Sequence, residues 1–233
     1  MSGAGTQALR LAELAPRLVA EADADALLGA ARETLAREGD ADVFARAVGF
    51  ALDADRAPLE LSFIGLYTAL ESALTFFRRQ GDYHVIPREE FARFEADLRG
   101  WLRRHPALEG EPARRALLYE KVPELNRFPF SHVFKQFCAR YGLDLSDLWP
   151  LVGPAGEWPL VEIRHRLVHG DPFRSRPASA VECAREHLRW TAARMILSLL
   201  GWPVGRSLVS PEALSRRAAA HHAGWREERA RLA

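Results

Sequence analysis

The segment Val161–Phe173, VEIRHRLVHGDPF, places two arginines and two histidines within six residues and then stops at Gly-Asp-Pro. Imidazole titrates near pH ~6.5, so it can take and return a proton close to neutrality. Guanidinium stays charged, and its planar fork matches a phosphate group. Together they suit cleavage of an RNA phosphodiester. The 2′-OH attacks the neighbouring phosphorus, a base removes its proton, and arginine stabilises the added charge. None of these steps calls for a metal.

Such side chains need an element to hold them, and the spacing predicts a helix over 160–169. Each helical residue turns about 100°. Leu160, Ile163 and Leu167 then share one face, the core side. Glu162, His165, Arg166 and His169 fall opposite, with Glu162 and Arg166 paired at (i, i+4). Arg164 lies at the flank, roughly 140° from His169. The two converge on one ligand only if the last turn unwinds at Gly170 or if a second copy faces the first. Gly170-Asp171-Pro172 ends the helix, because a residue before proline avoids the helical region. Unpaired carbonyls at that end attract a cation, which suits His169 either as a cap or as an acid/base.

Arg164-His-Arg-Leu-Val-His169 resembles the R-x4-H motif of the HEPN superfamily, α-helical domains that include metal-independent endoribonucleases. The common form has a polar residue, often Asn, after the arginine; His165 stands there in this chain. Leu66-Tyr-Thr-Ala-Leu-Glu-Ser-Ala-Leu74 is similar to the first core helix of the ApeA-like HEPN group, which carries a mid-helix acid, and the Val-His-Gly ending is similar too. The likeness spans roughly 58–202. It implies catalytic roles for Arg164 and His169, with support from His165, Arg166 and Glu71. It also implies a homodimer joined through 160–173, and a setting in bacterial defence or a toxin system with a regulatory or antitoxin protein as partner. A non-catalytic HEPN module that binds nucleotide, RNA or a protein partner is the alternative.

Other residues read less sharply. Glu71 is the only charge between Leu61 and Phe77, so it is either on a narrow exposed strip or buried with a partner; the resemblance implies Arg164 as that partner. Arg78, Arg79 and Arg174 are candidate RNA-backbone contacts, and Arg103-Arg104-His105 and Arg114-Arg115 read as solvated faces that can also track phosphates. His165 and His169 have H-x3-H spacing, but no third ligand is evident beyond the loose candidates His132 and His187, so no metal and no cofactor are expected. Trp149, Trp158, Trp190 and Trp202 read as core, and His221-His222 as ordinary surface.

The whole chain bounds the reading. It has 233 residues, 48% hydrophobic and 27% charged, with net charge +1. That composition builds a real core. It offers no global attraction to nucleic acid, so an anion site must be local. Two cysteines make no disulfide framework, and the N-terminus lacks an apolar signal segment, so a cytoplasmic protein is expected. The weakly charged run 61–77 is shorter than the ~20 residues of a membrane span. Helical periodicity recurs at 6–20, 24–38, 41–53, 58–79, 87–104, 111–120, 130–141, 144–149, 160–169, 179–200 and from Pro211 to the end, with no alternating strand run. The expectation is an all-α protein with a four-helix core (58–79, 130–141, 160–169, 179–200), divided into an N-terminal extension 1–56, a HEPN-like domain 57–204 and a C-terminal helix 205–233.

Overall fold

The computed structural model describes residues 3–38, 41–79, 81, 84–170 and 178–232. They form α-helices α1 (Gly3–Leu18), α2 (Ala24–Glu38), α3 (Ala41–Asp53), α4 (Leu59–Arg79), α5 (Arg88–Arg104), α6 (Pro112–Lys121), α7 (Phe130–Tyr141), α8 (Leu160–His169), α9 (Ala178–Leu199), α10 (Pro211–Arg217) and α11 (Ala219–Ala230). Among the described residues the only β pairing is an isolated bridge between His84 and Arg127. The chain is all-α, as its periodicity requires. No helix among the described residues is long and apolar enough to cross a membrane.

Two compact units are present, one of residues 1–80 and 137–233, the other of 81–136. The larger unit is centred on α4 and α9. The stripe of α4 buries Phe63, Leu66, Leu70, Leu74 and Phe77, and its other apolar edge buries Ala69, Ala73 and Phe76. Helix α9 is buried on every side from Trp190 to Leu199, while its N-terminal half keeps an unburied charged strip of Glu182, Arg185, Glu186 and Arg189. Helix α3 packs along α4, and Phe44 meets Phe76 edge to face at 5.7 Å. Residues 1–56 therefore belong to the same unit as α4. Phe137 and Tyr141 of α7 pack on Phe77, and α8 lies against α4 and α9.

The smaller unit has its own cluster, in which Leu98 and Tyr119 pack against buried Leu102, Leu108 and Val122. Asn126 clamps its chain ends: its Oδ1 accepts from the Ile86 amide at 2.8 Å and its Nδ2 donates to the Ile86 carbonyl at 3.0 Å.

Two expected helices take another form. Residues 144–149 make a turn rather than a helix. The Asp144 carboxylate accepts from the Ser146 amide at 2.8 Å, a local bond that competes with helix formation. The C-terminal helix is not continuous to the end. It breaks at Ala218 (φ −136°) into α10 and α11, while Ser210 caps α10 by accepting from the Ala213 amide.

A buried polar cluster ties the larger unit together. The Arg194 guanidinium, fully buried on α9, donates to both carboxylate oxygens of Asp147 at 2.6 and 2.7 Å and to the Val209 carbonyl at 2.7 Å. His222 Nε2 reaches the same carboxylate at 2.8 Å, so this histidine is part of the interior rather than ordinary surface. Burial alone would raise the Asp147 carboxyl, but hydrogen bonds from Arg194 and His222 hold it below its usual range. Beside it, His187 Nδ1 accepts from the Trp149 amide at 3.0 Å, and its Nε2 faces the His221 carbonyl at 2.9 Å. An amide only donates and a carbonyl only accepts, so the ring is neutral with its proton on Nε2. Burial pushes its pKa down to about 4.

That shift has a defined sign. The unfolded histidine titrates near ~6.5, so the unfolded chain binds more protons than the folded one between pH 6.5 and about 4. Stability is fully present above the upper value and falls as pH drops through this window, by up to ~1.4 kcal/mol per pH unit from this group. Urea unfolding of wild type and His187→Asn across pH 4–7 should give a shallower slope for the variant. Identical slopes would rule out His187 as the source.

Candidate functional site

Helix α8 is defined at both ends by backbone chemistry. Pro159, the residue just before it, supplies no side-chain cap. Instead the loop 150–159 doubles back, and the amides of Leu160 and Val161 donate to the carbonyls of Pro150 and Leu151 at 2.9 and 3.1 Å. These are among the donors a helix start leaves without partners. The Glu162 carboxylate holds the same loop by accepting from the Gly156 amide at 3.0 Å. At the far end Gly170 adopts φ 65°, ψ 19°, and its amide donates to the Arg166 carbonyl. A left-handed residue here favours glycine, so the helix stays regular through His169 and then turns away.

The regular last turn decides one question. Arg164 and His169 lie on one unbroken helix, so the roughly 140° between them stands. Leu160 and Ile163 are buried, as expected; Leu167, expected beside them, is only half-buried. His165 and His169 are exposed, with ring centroids 4.3 Å apart and planes tilted by 53°. Val168 is 45% exposed, an apolar side chain turned to solvent beside two imidazoles.

Arg164 is half-buried, and its guanidinium carbon sits 5.3 Å from the ring centre of Tyr67 on α4. The negative face of an aromatic ring attracts a cation. Burial first, and then the Glu71 carboxylate, push the Tyr67 phenol well above its ordinary value, while Arg164 pulls it down. Glu71, Tyr67 and Arg164 thus share one electrostatic neighbourhood. Among the described residues no ion pair joins Glu71 to Arg164. The support under the arginine is the phenol ring one helical turn before Glu71, a residue that its place in the apolar stripe of α4 disguised as core.

Arg166 is held differently. It pairs with Glu162 at 3.3 Å and lies 4.3 Å over the Trp158 ring. Trp158 has φ 55°, a strained backbone for a non-glycine residue. Its carbonyl accepts from Trp149 Nε1 at 2.7 Å. Arg166 is therefore committed to the loop that starts α8, and Arg164 is the arginine of the motif with no carboxylate partner among the described residues.

The remaining candidates are scattered. Arg78 is half-buried and Arg79 exposed, both in the last turn of α4. Arg174 lies outside the described residues. His187 is buried with both ring nitrogens engaged, so it is closed to a metal held by His165 and His169. His132 stacks on Phe128 at 4.3 Å. Trp149, Trp158, Trp190 and Trp202 are all buried. No protein-family model, curated protein or solved structure matches the chain.

The missing ion pair sets an expectation. Glu71→Gln should change stability by less than about 1 kcal/mol, the scale of a carboxylate that is not in a close buried pair. A loss of about 3 kcal/mol or more in urea unfolding would reveal a buried charge pair instead.

Proposed function

We propose that the chain is a metal-independent endoribonuclease of HEPN type, acting through Arg164 and His169. The observation that carries this reading is the state of the two residues. The Arg164 guanidinium lies 5.3 Å from the Tyr67 ring centre with no carboxylate paired to it among the described residues, and His169 is solvent-open at a helix end next to a second imidazole. A preset cation and an accessible proton carrier are what phosphodiester transesterification uses. Arg164 binds the scissile phosphate and stabilises the charge it gains. His169 exchanges a proton with the 2′-OH or with the leaving 5′-oxygen. His165 lies within reach to share that proton, and Arg166 anchors the helix through Trp158 and Glu162. Tyr67 and the Glu71 field act on Arg164 as positioning groups.

One chain holds Arg164 and His169 on different sides of α8, so the reading includes a homodimer in which the 160–173 segments of two copies face each other. Val168 and half-open Leu167 supply apolar surface for that contact. The Arg164 of one copy then meets the His169 of the other across the RNA. A role in bacterial defence or a toxin system, with a regulatory or antitoxin protein as partner, belongs to the same proposal.

The test uses labelled RNA in EDTA. Wild type should cut it, leaving 2′,3′-cyclic phosphate ends, with a rate that depends on pH around neutrality. His169→Ala should lose about a hundredfold or more, the scale of acid/base groups. Arg164→Lys should rescue Arg164→Ala poorly, because a point charge cannot make a two-pronged contact. Tyr67→Leu should lower the rate of protein that circular dichroism shows to be folded, because the ring beneath Arg164 is lost. Folded His169→Ala that cuts as fast as wild type would overturn the mechanism. RNA binding without cleavage would select the non-catalytic module. A sedimentation experiment should find a dimer at micromolar concentration; a fully active monomer would refute the shared cleft.

A further inference from the structure

A cavity of about 480 Å³ opens in the larger unit, away from α8. It lies within the ~300–1,000 Å³ range of small-molecule sites. One wall is apolar, made by Leu14 and Leu18 of α1, Trp190 and Ile196 of α9, and Leu208. The other wall is charged, with Arg17, Asp55, Glu186, Arg189 and Arg217.

The charges are unevenly committed. Asp55 pairs with Arg17 and, at 2.8 Å, with Arg189. Glu186 pairs with Arg185 at 2.6 Å and with Arg189 at 3.5 Å. Both carboxylates are thus already neutralised. Arg217 is exposed at the rim, and among the described residues no carboxylate pairs with it. The network is also incompletely satisfied: the buried Nε donors of Arg185 and Arg189 have no acceptor, and Asp55 Oδ1, though close to Arg189, lacks an aligned hydrogen bond. Burial disfavours the charged form of Arg189, and an added anion nearby would favour it again.

We propose that this cavity is a binding site for a small amphipathic carboxylate, its apolar body against Trp190 and the leucines and its carboxylate on Arg217 and Arg189. The apolar wall excludes a purely polar ligand such as free phosphate as a good fit, because it would leave that wall wet. The two ion-paired carboxylates and the spare arginine disfavour a cationic amphiphile, which would meet net repulsion. The site stands apart from the ribonuclease reading and does not depend on it.

The probe is decanoate, titrated into the full chain by calorimetry below its micelle concentration, with decyltrimethylammonium as the opposite-charge control. Decanoate should saturate one site per chain and raise the melting temperature. Arg217→Glu, a surface change that leaves the core intact, should weaken binding about tenfold or more. Ala51→Phe, which places a ring in the cavity from α3, should do the same; far-ultraviolet circular dichroism checks that both variants are folded. The proposal fails if decanoate gives no saturable binding, if decyltrimethylammonium binds as tightly, or if both folded variants bind like wild type.

Discussion

A single buried cation organises the larger unit. Arg194 stands in the last third of α9, among residues that are buried and mostly apolar. A guanidinium cannot remain there without partners. Its demand is met by the Asp147 carboxylate and the Val209 carbonyl, which come from opposite sides along the chain. Removing Asp147 would leave that charge uncompensated, a loss of about 3–5 kcal/mol on the scale of broken buried pairs. The turn at 144–149 and the segment that leads into α10 are thereby pinned to the same helix, and His222 pins α11 to the same carboxylate.

The candidate site hangs from this anchor through a short chain of contacts. Two residues after Asp147, the Trp149 amide donates to His187 and its indole donates to the Trp158 carbonyl. Trp158 is held in a strained backbone conformation and lies under Arg166. Pro150 and Leu151 then offer their carbonyls to the first amides of α8. The position of the R-x4-H helix is thus set from its N-terminal side by a hydrogen-bonded loop and from its buried face by Leu160 and Ile163 on the core. Little of that support comes from Arg164, His165 and His169, whose contacts are with the Tyr67 ring and with each other.

Placement of the acidic residues divides by environment. Asp147 is locked by hydrogen bonds and Glu162 ties a loop to its helix, so both are structural. Asp55 and Glu186 are consumed by arginines around the cavity. Glu71 is half-buried on α4 without an ion pair to Arg164, and it acts at a distance through the field it adds around Tyr67. Burial pushes the thiols of the two cysteines up, to about 11 at Cys138 and about 12 at Cys183.

What the sequence by itself determined is what periodicity and local backbone chemistry control. The all-α class, the limits of α2, α3, α4, α7 and α8, the Ser210 cap and the glycine stop at Gly170 all follow from residue spacing and from neighbours within one turn. The burial of Leu160 and Ile163 on α8 followed from the same arithmetic, while Leu167, expected beside them, is only half-buried. Contacts between distant segments were not legible, because a side chain's type does not say which residue it will meet. Nothing set Arg194 apart from the other charges of α9, Glu182, Arg185, Glu186 and Arg189, and its partners lie 47 and 15 residues away. His222 read as surface because its own helix is polar, and only the approach of Asp147 made it interior. The apolar stripe of α4 hides Tyr67 among core residues, and only the packing of α8 on α4 sets Arg164 over its ring. The helix expected over 144–149 gave way to a turn for the same reason, since a tertiary charge pair and a local Asp bond together outweighed a weak helical preference.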